Sequence, residues 1–396
     1  MVDTVILHTN EICLKGRNRA MFERALMEDA RSRLSSLGGF TVRRDQGNVV
    51  ASHLGPLTEA QVAACKQALG TAFGISWIVF AERCAKDLDA IKTAATEAMR
   101  PKGATTFKVF ATRRDKTFPV DSQEIARELG AHLLDALPGL KVDVHEPQVR
   151  VAVEIAKECA FVSADREPGA GGLPAGSSGA IVAMLSGGID SPVAAWKVMR
   201  RGCSPIFVHF HSYPYVGRES IDKVRRLAAR LGAYAGKSPL YLVPIGDSQK
   251  EITVKADETV RVLLYRRLML RIAERIARTE RAKAIVTGES VGQVASQTLE
   301  NIAAVSTVAG MPIFRPLIGD DKEDIVRAAK RIGTYATSIE PHDDCCTLFV
   351  PQRPATRADA ARLDREEAKY DVAALVEDAL ARTERVAAGE AVAWYA

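Results

Sequence analysis

Two rhythms of apolar and polar residues divide the chain. In its first part, short runs rich in β-branched and aromatic residues alternate with helical patterns, such as the one in which Ile125, Leu129 and Leu133 recur along one face. The runs predict strands at residues 5–7, 47–51, 76–81, 106–111 and 150–155, and the helical patterns fall at 18–37, 85–99 and 122–137. We expect two small α+β units in tandem, with a boundary near residue 60.

The second part alternates strands with helices. Residues 180–185 form an uninterrupted apolar run, which is typical of a strand buried on both faces. Further strands are predicted at 205–210, 240–245 and 284–287, and helices at 192–201, 219–231 and about 257–281. This alternation predicts a doubly wound parallel sheet, whose ligands bind beyond the carboxyl ends of its strands. From residue 357 onward the pattern predicts charged helix.

One segment separates the two parts. Glycine, proline and serine dominate residues 167–179, which favours a loop or linker over a regular element. A chain of 396 residues is also too long for a single ordinary core. The sequence therefore predicts three domains, at residues 1–60, 61–166 and 167–396.

Composition and charge exclude several classes of protein. Apolar residues make up 47% and charged residues 26%, as in globular proteins, and no stretch approaches the ~20 uninterrupted apolar residues of a membrane helix. Residues 1–7 contain no basic segment before a long apolar run, so we expect no signal peptide and a cytoplasmic location. Seven cysteines without C-x-x-C spacing predict reduced thiols rather than a disulfide framework or a zinc site.

The net charge of +5 permits nucleic-acid binding without establishing it. Two arginine pairs, Arg43 with Arg44 and Arg113 with Arg114, are candidates for phosphate contacts. For either pair alone, solvated loop charge is the simpler interpretation.

The sequence SGGIDSP, at residues 186–192, directly follows the apolar run at 180–185. Gly187 and Gly188 let the backbone approach an anion and turn N–H groups towards it, while Ser186 and Ser191 add hydroxyl donors. The helix predicted to begin at Pro192 presents the positive end of its dipole. Strand, loop and helix in this order predict a phosphate-binding site; an ordinary glycine-rich turn with a Ser or Asp helix cap is the simpler alternative.

Asp190 indicates the kind of phosphate site, because a carboxylate repels phosphate. Its presence is explained if it binds a Mg²⁺ ion that bridges the phosphates of a nucleotide. The chain contains neither G-x-x-x-x-G-K-[ST] nor G-x-G-x-x-G, which excludes a Walker A loop and a dinucleotide fingerprint. The motif resembles the PP-loop of the ATP pyrophosphatases, which cleave ATP between its α- and β-phosphates and adenylate a carbonyl-type oxygen. This resemblance implies ATP and Mg²⁺ and leaves the acceptor open.

Four further segments resemble those of one family, the tRNA 4-thiouridine synthetases (ThiI family). They are EICLKGRNR at residues 11–19 with Phe22 and Glu23, GGLPAG at 171–176, TGESVGQVASQT at 287–298 and DDCCTLF at 343–349. The family's first element opens with glycine where this chain has Asn10. The resemblance runs from about residue 3 to about residue 354. It implies an α/β protein in which a PP-loop domain with a doubly wound parallel sheet follows two small α+β domains, a ferredoxin-like domain (1–60) and a tRNA-binding THUMP domain (61–166).

The resemblance also implies the residues of the site. Those that contact ATP are Met184, Leu185, Ser186, Gly187, Gly188, Asp190, Ser191, His209, Phe210, Arg266, Gly288 and Gln297. Asp190 is the metal ligand, and Asp190 and Cys345 are the catalytic residues.

Plainer roles stay open for several of these residues. Met184, Leu185 and Phe210 are also expected in a strand core, and His209 is equally well explained as a structural histidine. A solvated helix face is the default for Arg266 and Arg267, and a turn for Gly288. Nothing but the resemblance singles out Gln297.

The implied reaction has two halves. ATP adenylates O4 of the uridine at position 8 of tRNA, and a persulfide on Cys345, charged by a cysteine desulfurase, then replaces O4 by sulfur to give 4-thiouridine. Cys346, or a structural pair of the two cysteines, is the alternative at this segment. About 42 residues follow Pro354, too few for the rhodanese domain with which many relatives end, so we expect a short form whose resolving thiol is undetermined.

The resemblance implies further partners and leaves other functions open. A second role is sulfur transfer to the sulfur carrier protein of thiazole synthesis, in the thiamine pathway, and a homodimer stays open. The alternatives are a PP-loop ligase that amidates or thiolates another acceptor, and a tRNA-binding protein with an inactive ATP site. Intact Ser186, Asp190 and Ser191 argue against the inactive site.

Overall fold

The structure is a computed structural model that describes residues 1–45, 47–236, 238–341 and 353–388. The chain divides into two compact units, Met1–Pro174 and Ala175–Ala396.

The first unit contains an eight-stranded sheet and four α-helices among its described residues. The strands are β1 Thr4–His8, β2 Phe40–Asp45, β3 Asn48–His53, β4 Trp77–Cys84, β5 Thr106–Arg113, β6 Lys141–Val142, β7 Val149–Ile155 and β8 Ala160–Pro168, and the helices are α1 Arg19–Leu34, α2 Glu59–Gly70, α3 Leu88–Met99 and α4 Ser122–Ala136. The strand order is β2-β3-β1-β4-β8-β7-β5-β6. The β5–β7 and β5–β6 pairs are parallel and the others antiparallel.

Local chemistry sets where the helices of this unit begin. Thr58 and Gln61 bond reciprocally to each other's backbone N–H at the start of α2, Asp87 accepts from the N–H of Ala90 at the start of α3, and Asp121 caps α4. The helices then bury their apolar faces in two clusters. The first cluster includes Leu26 and Leu69, and the second includes Ile125, Leu129 and Leu133, the face expected from the sequence.

The stretch rich in Gly, Pro and Ser is shorter than the sequence suggests. Its first residues continue β8 as far as Pro168, and Leu173 packs in the apolar cluster of the first unit. Gly171 accepts a hydrogen bond from the N–H of Gly74 and donates one to the carbonyl of Ile75. These contacts explain why the second compact unit begins at Ala175 rather than at residue 167.

The second unit is a six-stranded sheet with helices. The strands are β9 Ala180–Met184, β10 Ser204–His211, β11 Pro239–Pro244, β12 Ile285–Val286, β13 Ile313–Phe314 and β14 Glu384–Ala387, and the helices are α5 Asp190–Met199, α6 Glu219–Ala235, α7 Gly246–Lys255, α8 Arg261–Thr279, α9 Leu299–Ser306, α10 Lys322–Ile332, α11 Tyr335–Ser338, α12 Ala360–Glu367 and α13 Val372–Ala381. The order is β13-β12-β9-β10-β11-β14, parallel apart from β14. The predicted α/β architecture with a doubly wound sheet is confirmed.

The topology of this sheet creates a crevice. From β9 the chain passes through α5 to β10 on one side, and later reaches β12 on the other side of β9. Ligands of open α/β sheets bind beyond the strand ends at such a reversal. Helix α8 packs an apolar face against the sheet, and Leu264, Leu268 and Ile272 are buried in this cluster.

The chain after residue 357 departs from the prediction. Helices α12 and α13 are present, but β14 follows them and pairs antiparallel with β11 at the edge of the sheet. An edge strand has one side in solvent and can therefore carry charged residues such as Glu384 and Arg385. These charges explain why the sequence pattern did not predict a strand here. In the described part of the chain, no helix is long and apolar enough to cross a membrane.

Candidate active site

A cavity of about 410 Å³ lies in the second unit at the carboxyl ends of β9, β10 and β12. The structure brings together around it eleven of the twelve residues expected to contact ATP: Met184, Leu185, Ser186, Gly188, Asp190, Ser191, His209, Phe210, Arg266, Gly288 and Gln297. Gly187 lies in the same loop between two lining residues. A cavity of this size is in the range of small-molecule sites.

The loop from Ser186 to Ser191 is held closed by its own serines. The Ser186 N–H donates to Ser191 Oγ at 2.8 Å, the two hydroxyl oxygens are 3.0 Å apart, and the Gly188 N–H donates to Ser186 Oγ at 3.3 Å. Ser191 is buried, so both hydroxyls are fixed where the cavity begins.

Helix α5 begins at this loop without a side-chain cap, because Ile189 precedes it. Its first two residues, Asp190 and Ser191, line the cavity, so the positive end of its dipole lies beside the cavity. Helices α3 and α4 are capped by Asp87 and Asp121, whereas α1, α6, α7, α8 and α11, like α5, have no side-chain cap. An uncapped helix start in a cavity is suited to a phosphate group.

Gly288 allows the loop after β12 to approach this helix start. A Cβ atom at Gly288 would lie 2.8 Å from the backbone nitrogen of Ser191 and 2.9 Å from its Cα. No side chain fits there without displacing α5, so the position requires glycine for packing and not for a turn.

Asp190 has two side-chain partners that the sequence did not reveal. Lys322 Nζ lies 2.6 Å from its Oδ1, and Gln293 Nε2 donates to its Oδ2 at 2.9 Å. Lys322 opens α10, so the two helices begin at the same carboxylate.

Asp190 is the residue expected to hold a Mg²⁺ ion. Among the described residues, no group of three or more His, Cys, Asp or Glu side chains is placed to hold a metal. Mg²⁺ needs only one or two carboxylates when phosphates and water complete its octahedron. Asp190, 20% exposed at the cavity, fits an ion of that kind.

Arg266 lies in a buried ion network and not on a solvated face. Its Nη1 is 3.0 Å from Glu289 Oε1 and donates to the carbonyl of Ser296 at 3.0 Å, while Arg315 Nε lies 2.6 Å from Glu289 Oε2. Burial alone raises the pKa of Glu289, but the guanidinium groups of Arg266 and Arg315 outweigh it and hold that pKa below its ordinary value. Glu289 thus fixes Arg266 at the cavity wall.

The solvated alternative is also wrong for Arg267. This side chain is 3% exposed and pairs with Asp364 at 2.7 Å and with Glu367 at 2.9 Å. It ties α8 to α12, which is a structural role.

The open alternatives for the strand residues turn out to be compatible with the cavity. Phe210 and Met184 belong to the core of α8 and the sheet and also line the cavity. His209 is 1% exposed, and its Nδ1 donates to the carbonyl of Leu185 at 2.9 Å. That bond places the proton on Nδ1 when the ring is neutral.

Cys345 and Cys346 lie outside the described residues. The five described cysteines are unpaired thiols, and burial raises the pKa of Cys65 to about 11 and that of Cys84 to about 12. Such thiols stay protonated at neutral pH, which makes them poor nucleophiles.

Of the arginine pairs of the first unit, Arg43 and Arg44 are solvated as expected, but Arg43, Arg44 and Arg113 lie on strands and not in loops. Arg43 and Arg44 lie on β2, and Arg44 Nε is 2.9 Å from the buried carboxylate of Glu23. Arg113 donates to the carbonyl of Phe118 at 2.8 Å, and Arg114 pairs with Glu154 at 3.0 Å.

A second cationic feature of this unit was missed by sequence reasoning. The exposed Phe110 ring has Lys108 Nζ at 5.0 Å and the Arg150 guanidinium at 5.5 Å, and Arg166 lies 4.0 Å over Trp77. Burial, followed by repulsion from the charge of Arg150, lowers the pKa of Arg166, so the two cations interact electrostatically. We call these five residues the aromatic–cationic surface. The alternation of Lys108 and Phe110 on one strand is the signal that could have found it.

Comparison with known protein families matches three consecutive regions of the chain. The family model described as thiamine biosynthesis protein (ThiI) matches residues 176–372, that of the THUMP domain matches 85–165, and that of the ThiI ferredoxin-like domain matches 4–78.

Individual proteins resemble the chain over almost its full length. Probable tRNA sulfurtransferases of Brevibacillus brevis and Thermus thermophilus are 42% and 44% identical to it, over 96% and 95% of this chain and 95% and 91% of the relatives. The crystal structure of a 4-thiouridine synthetase–RNA complex with bound ATP superposes with a TM-score of 0.88 at 35% identity, covering 98% of this chain and 100% of that one.

Proposed function

The chain belongs to the ThiI family of tRNA sulfurtransferases, and from this premise we propose that it converts the uridine at position 8 of tRNA into 4-thiouridine in two steps, adenylation and sulfur transfer. The observation that carries the proposal is the position of the start of α5. This helix begins without a side-chain cap at a cavity, and the residues expected to contact ATP line that cavity. The solved relative contains bound ATP, which supports ATP as the substrate of this cavity.

In the first step, O4 of the uridine bonds to the α-phosphorus of ATP. The bond between this phosphorus and the bridging oxygen breaks, pyrophosphate leaves, and the uridine loses its N3 proton. The N–H groups at the start of α5 and the hydroxyls of Ser186 and Ser191 stabilise the charge that develops on the leaving group. Arg266, fixed by Glu289, adds a cation to the cavity wall.

Asp190 would hold a Mg²⁺ ion together with the phosphates. Such an ion neutralises the pyrophosphate charge and orients the leaving group. Lys322 pairs with the same carboxylate and would supply a second positive charge next to the phosphates. The side-chain amide of Gln293 fixes the other carboxylate oxygen.

In the second step, the outer sulfur of a persulfide on Cys345 attacks C4 and AMP leaves. A second thiol then attacks the Cys345 sulfur, which breaks the bond to the transferred sulfur, releases 4-thiouridine and leaves a disulfide. The persulfide is supplied by a cysteine desulfurase. Burial raises the pKa of Cys65, Cys84, Cys159 and Cys203, so these four thiols are poorly suited to this role.

The first unit binds the tRNA in this proposal. Its aromatic–cationic surface offers ring faces for unpaired bases and cations for phosphates, the combination used to bind single-stranded nucleic acid. The solved relative is an RNA complex, and a THUMP domain covers residues 85–165 here. A further role, supported by the family's description as a thiamine biosynthesis protein, is transfer of the same sulfur to the carrier protein of thiazole synthesis.

One pair of measurements tests the proposal. The purified protein with ATP, Mg²⁺ and unmodified tRNA should release pyrophosphate only when tRNA is present, and with a cysteine desulfurase and cysteine it should also release AMP and form 4-thiouridine at position 8, read by nucleoside mass spectrometry. AMP release with a different modified nucleoside would indicate another acceptor. Tight tRNA binding without any pyrophosphate release would indicate an inactive ATP site.

A further inference from the structure

Three cations on one face of α6 bind the chain segment at residues 332–340. They are Lys223, Arg226 and Arg230, spaced three and four residues apart as neighbours on a helix surface must be. Lys223 is the unusual member, because its side chain is 1% exposed. Burying an ammonium group is costly unless it is well paired. The acceptors that pair with Lys223 therefore indicate which part of the chain it stabilises.

The partners of Lys223 are backbone carbonyls at the end of α11. Its Nζ donates to the carbonyl of Ser338 at 2.8 Å and to that of Glu340 at 2.6 Å. The last carbonyls of a helix lack partners within it and carry the negative end of its dipole, so an ammonium group is the complementary donor.

The other two cations bind the same segment on both sides of this point. Arg226 makes a two-pronged ion pair with Glu340, 2.8 Å between Nη1 and Oε1 and closer still between Nη2 and Oε2, and the Arg226 bond holds the pKa of Glu340 below its ordinary value. Arg230 Nε donates to the carbonyl of Ile332 at 2.8 Å. The three cations therefore hold a nine-residue segment at its two ends, by contacts with Ile332, Ser338 and Glu340.

The location of this anchor connects it to the cavity. Helix α6 follows β10, so its first turns lie at the carboxyl edge of the sheet, where His209 and Phe210 line the cavity. Cys345 comes five residues after Glu340 in the sequence. Five residues reach at most about 17 Å, so a fixed Glu340 limits where that thiol can act.

We propose that Lys223 and Arg226 are positioning residues for sulfur transfer, which hold the backbone at Ser338 and Glu340 so that Cys345 reaches the adenylated uridine. The inference rests on the role of Cys345 in the proposed function. Neither residue lines the ATP cavity, so the adenylation step does not depend on them.

The test uses the full chain with Lys223→Met and, as a matched control, Lys255→Met, an exposed lysine of α7 paired with Glu251. Three rates are measured: tRNA-dependent pyrophosphate release in the first turnover, 4-thiouridine formation from the desulfurase, and 4-thiouridine formation from millimolar hydrosulfide, which attacks C4 without Cys345. Lys223→Met should slow the desulfurase-dependent rate at least about tenfold, as expected for misplacing a reacting group. Pyrophosphate release and the hydrosulfide rate should stay within about twofold, and the control should change none of the three.

Equal slowing of pyrophosphate release and of desulfurase-dependent thiolation would show that Lys223 only stabilises the fold, and would overturn the inference. If Lys223→Met fails to fold, Glu340→Gln and Arg226→Gln decide the matter, since they remove an exposed ion pair and leave the buried lysine in place. The exchange of charges in Arg226→Glu with Glu340→Arg should restore the thiolation that either single change loses. Full thiolation by Cys345→Ser would instead refute the sulfur step of the proposed function.

Discussion

The ammonium group of Lys322 lies 2.6 Å from Oδ1 of Asp190, a residue 132 positions earlier in the chain. Each is the first residue of its helix, so the starts of α5 and α10 meet at one carboxylate. In the proposed mechanism, a Mg²⁺ ion and the lysine would compete for Asp190, and the ammonium group would share the carboxylate or leave it when a magnesium–nucleotide complex binds. This geometry makes Asp190 and Lys322 separately testable.

Asp190→Ala should remove tRNA-dependent AMP formation, by at least about a hundredfold, because it deletes the carboxylate proposed to hold the phosphate-bridging ion. The affinity for tRNA should change less than about twofold, since RNA binding is assigned to the other unit. AMP release and filter binding measure the two quantities. Asp324→Ala removes an exposed carboxylate that pairs with Arg327 and serves as control. A normal rate of AMP formation would remove Asp190 from the site.

Lys322→Met should lower AMP formation as well, by about ten- to a hundredfold, because a cation directed at the phosphates is lost. Unlike Asp190→Ala, it should reduce the Mg²⁺ concentration that gives half the maximal rate, since the ion no longer competes with an ammonium group for Asp190. Titration of Mg²⁺ at saturating ATP measures this shift. A higher Mg²⁺ requirement would show that the lysine assists metal binding instead.

The aromatic–cationic surface predicts two distinguishable effects on tRNA binding. Phe110→Ala should weaken binding by roughly 1–3 kcal/mol through lost base stacking, without changing the salt dependence. Arg150→Gln should reduce the slope of log affinity against log salt by about 0.7–0.9, the contribution of one phosphate contact. Binding isotherms at several salt concentrations separate the two effects, with Arg127→Gln, at an exposed residue of α4, as control. Unchanged affinity in both variants would place the RNA elsewhere.

The structure of the loop at residues 186–191 could be predicted because its signal is local. A buried strand, two glycines and a helix start follow each other within residues 180–192, and local backbone preferences decide their structure. The partners of Asp190 could not be predicted in the same way. Lys322 and Gln293 reach it from 132 and 103 residues away, and nothing in their own surroundings distinguishes them from solvated polar residues.

Burial of charge explains the remaining misses. Arg266, Arg267 and Lys223 stand in amphipathic helices, where a charged residue is normally taken as part of the solvated face. Each is instead paired by a group from a distant segment, such as Glu289 for Arg266. The pattern of apolar residues along a helix predicts which of its faces is buried. It does not predict which charged residues form ion pairs with distant segments of the chain.

His211 predicts how stability depends on pH. Burial, then the neighbouring His209 and Arg382, lower its pKa from 6.5 to about 4. Between these pH values the unfolded chain binds a proton at His211 that the folded chain does not bind. The contribution of His211 to the free energy of unfolding is therefore fully present above pH 6.5 and is lost as the pH drops towards 4. The loss is up to about 3 kcal/mol. Unfolding in urea from pH 4 to 7 should show that His211→Asn flattens this slope, while His145→Asn, at an exposed histidine, leaves it intact.

Cys345 and Cys346 are adjacent in the sequence, so single substitutions must separate their roles. A sulfur-transfer thiol acts after adenylation, and its loss should stop thiolation while adenylation, read as pyrophosphate release, continues. Cys345→Ser is therefore expected to keep tRNA-dependent pyrophosphate release and to lose desulfurase-dependent 4-thiouridine, whereas Cys346→Ser keeps much of both. Nucleoside mass spectrometry and pyrophosphate release are measured on each variant and on the double variant, with Cys203→Ser, at a buried cysteine, as control. The reverse pattern would move the role to Cys346, and full thiolation in the double variant would exclude covalent sulfur transfer from this segment.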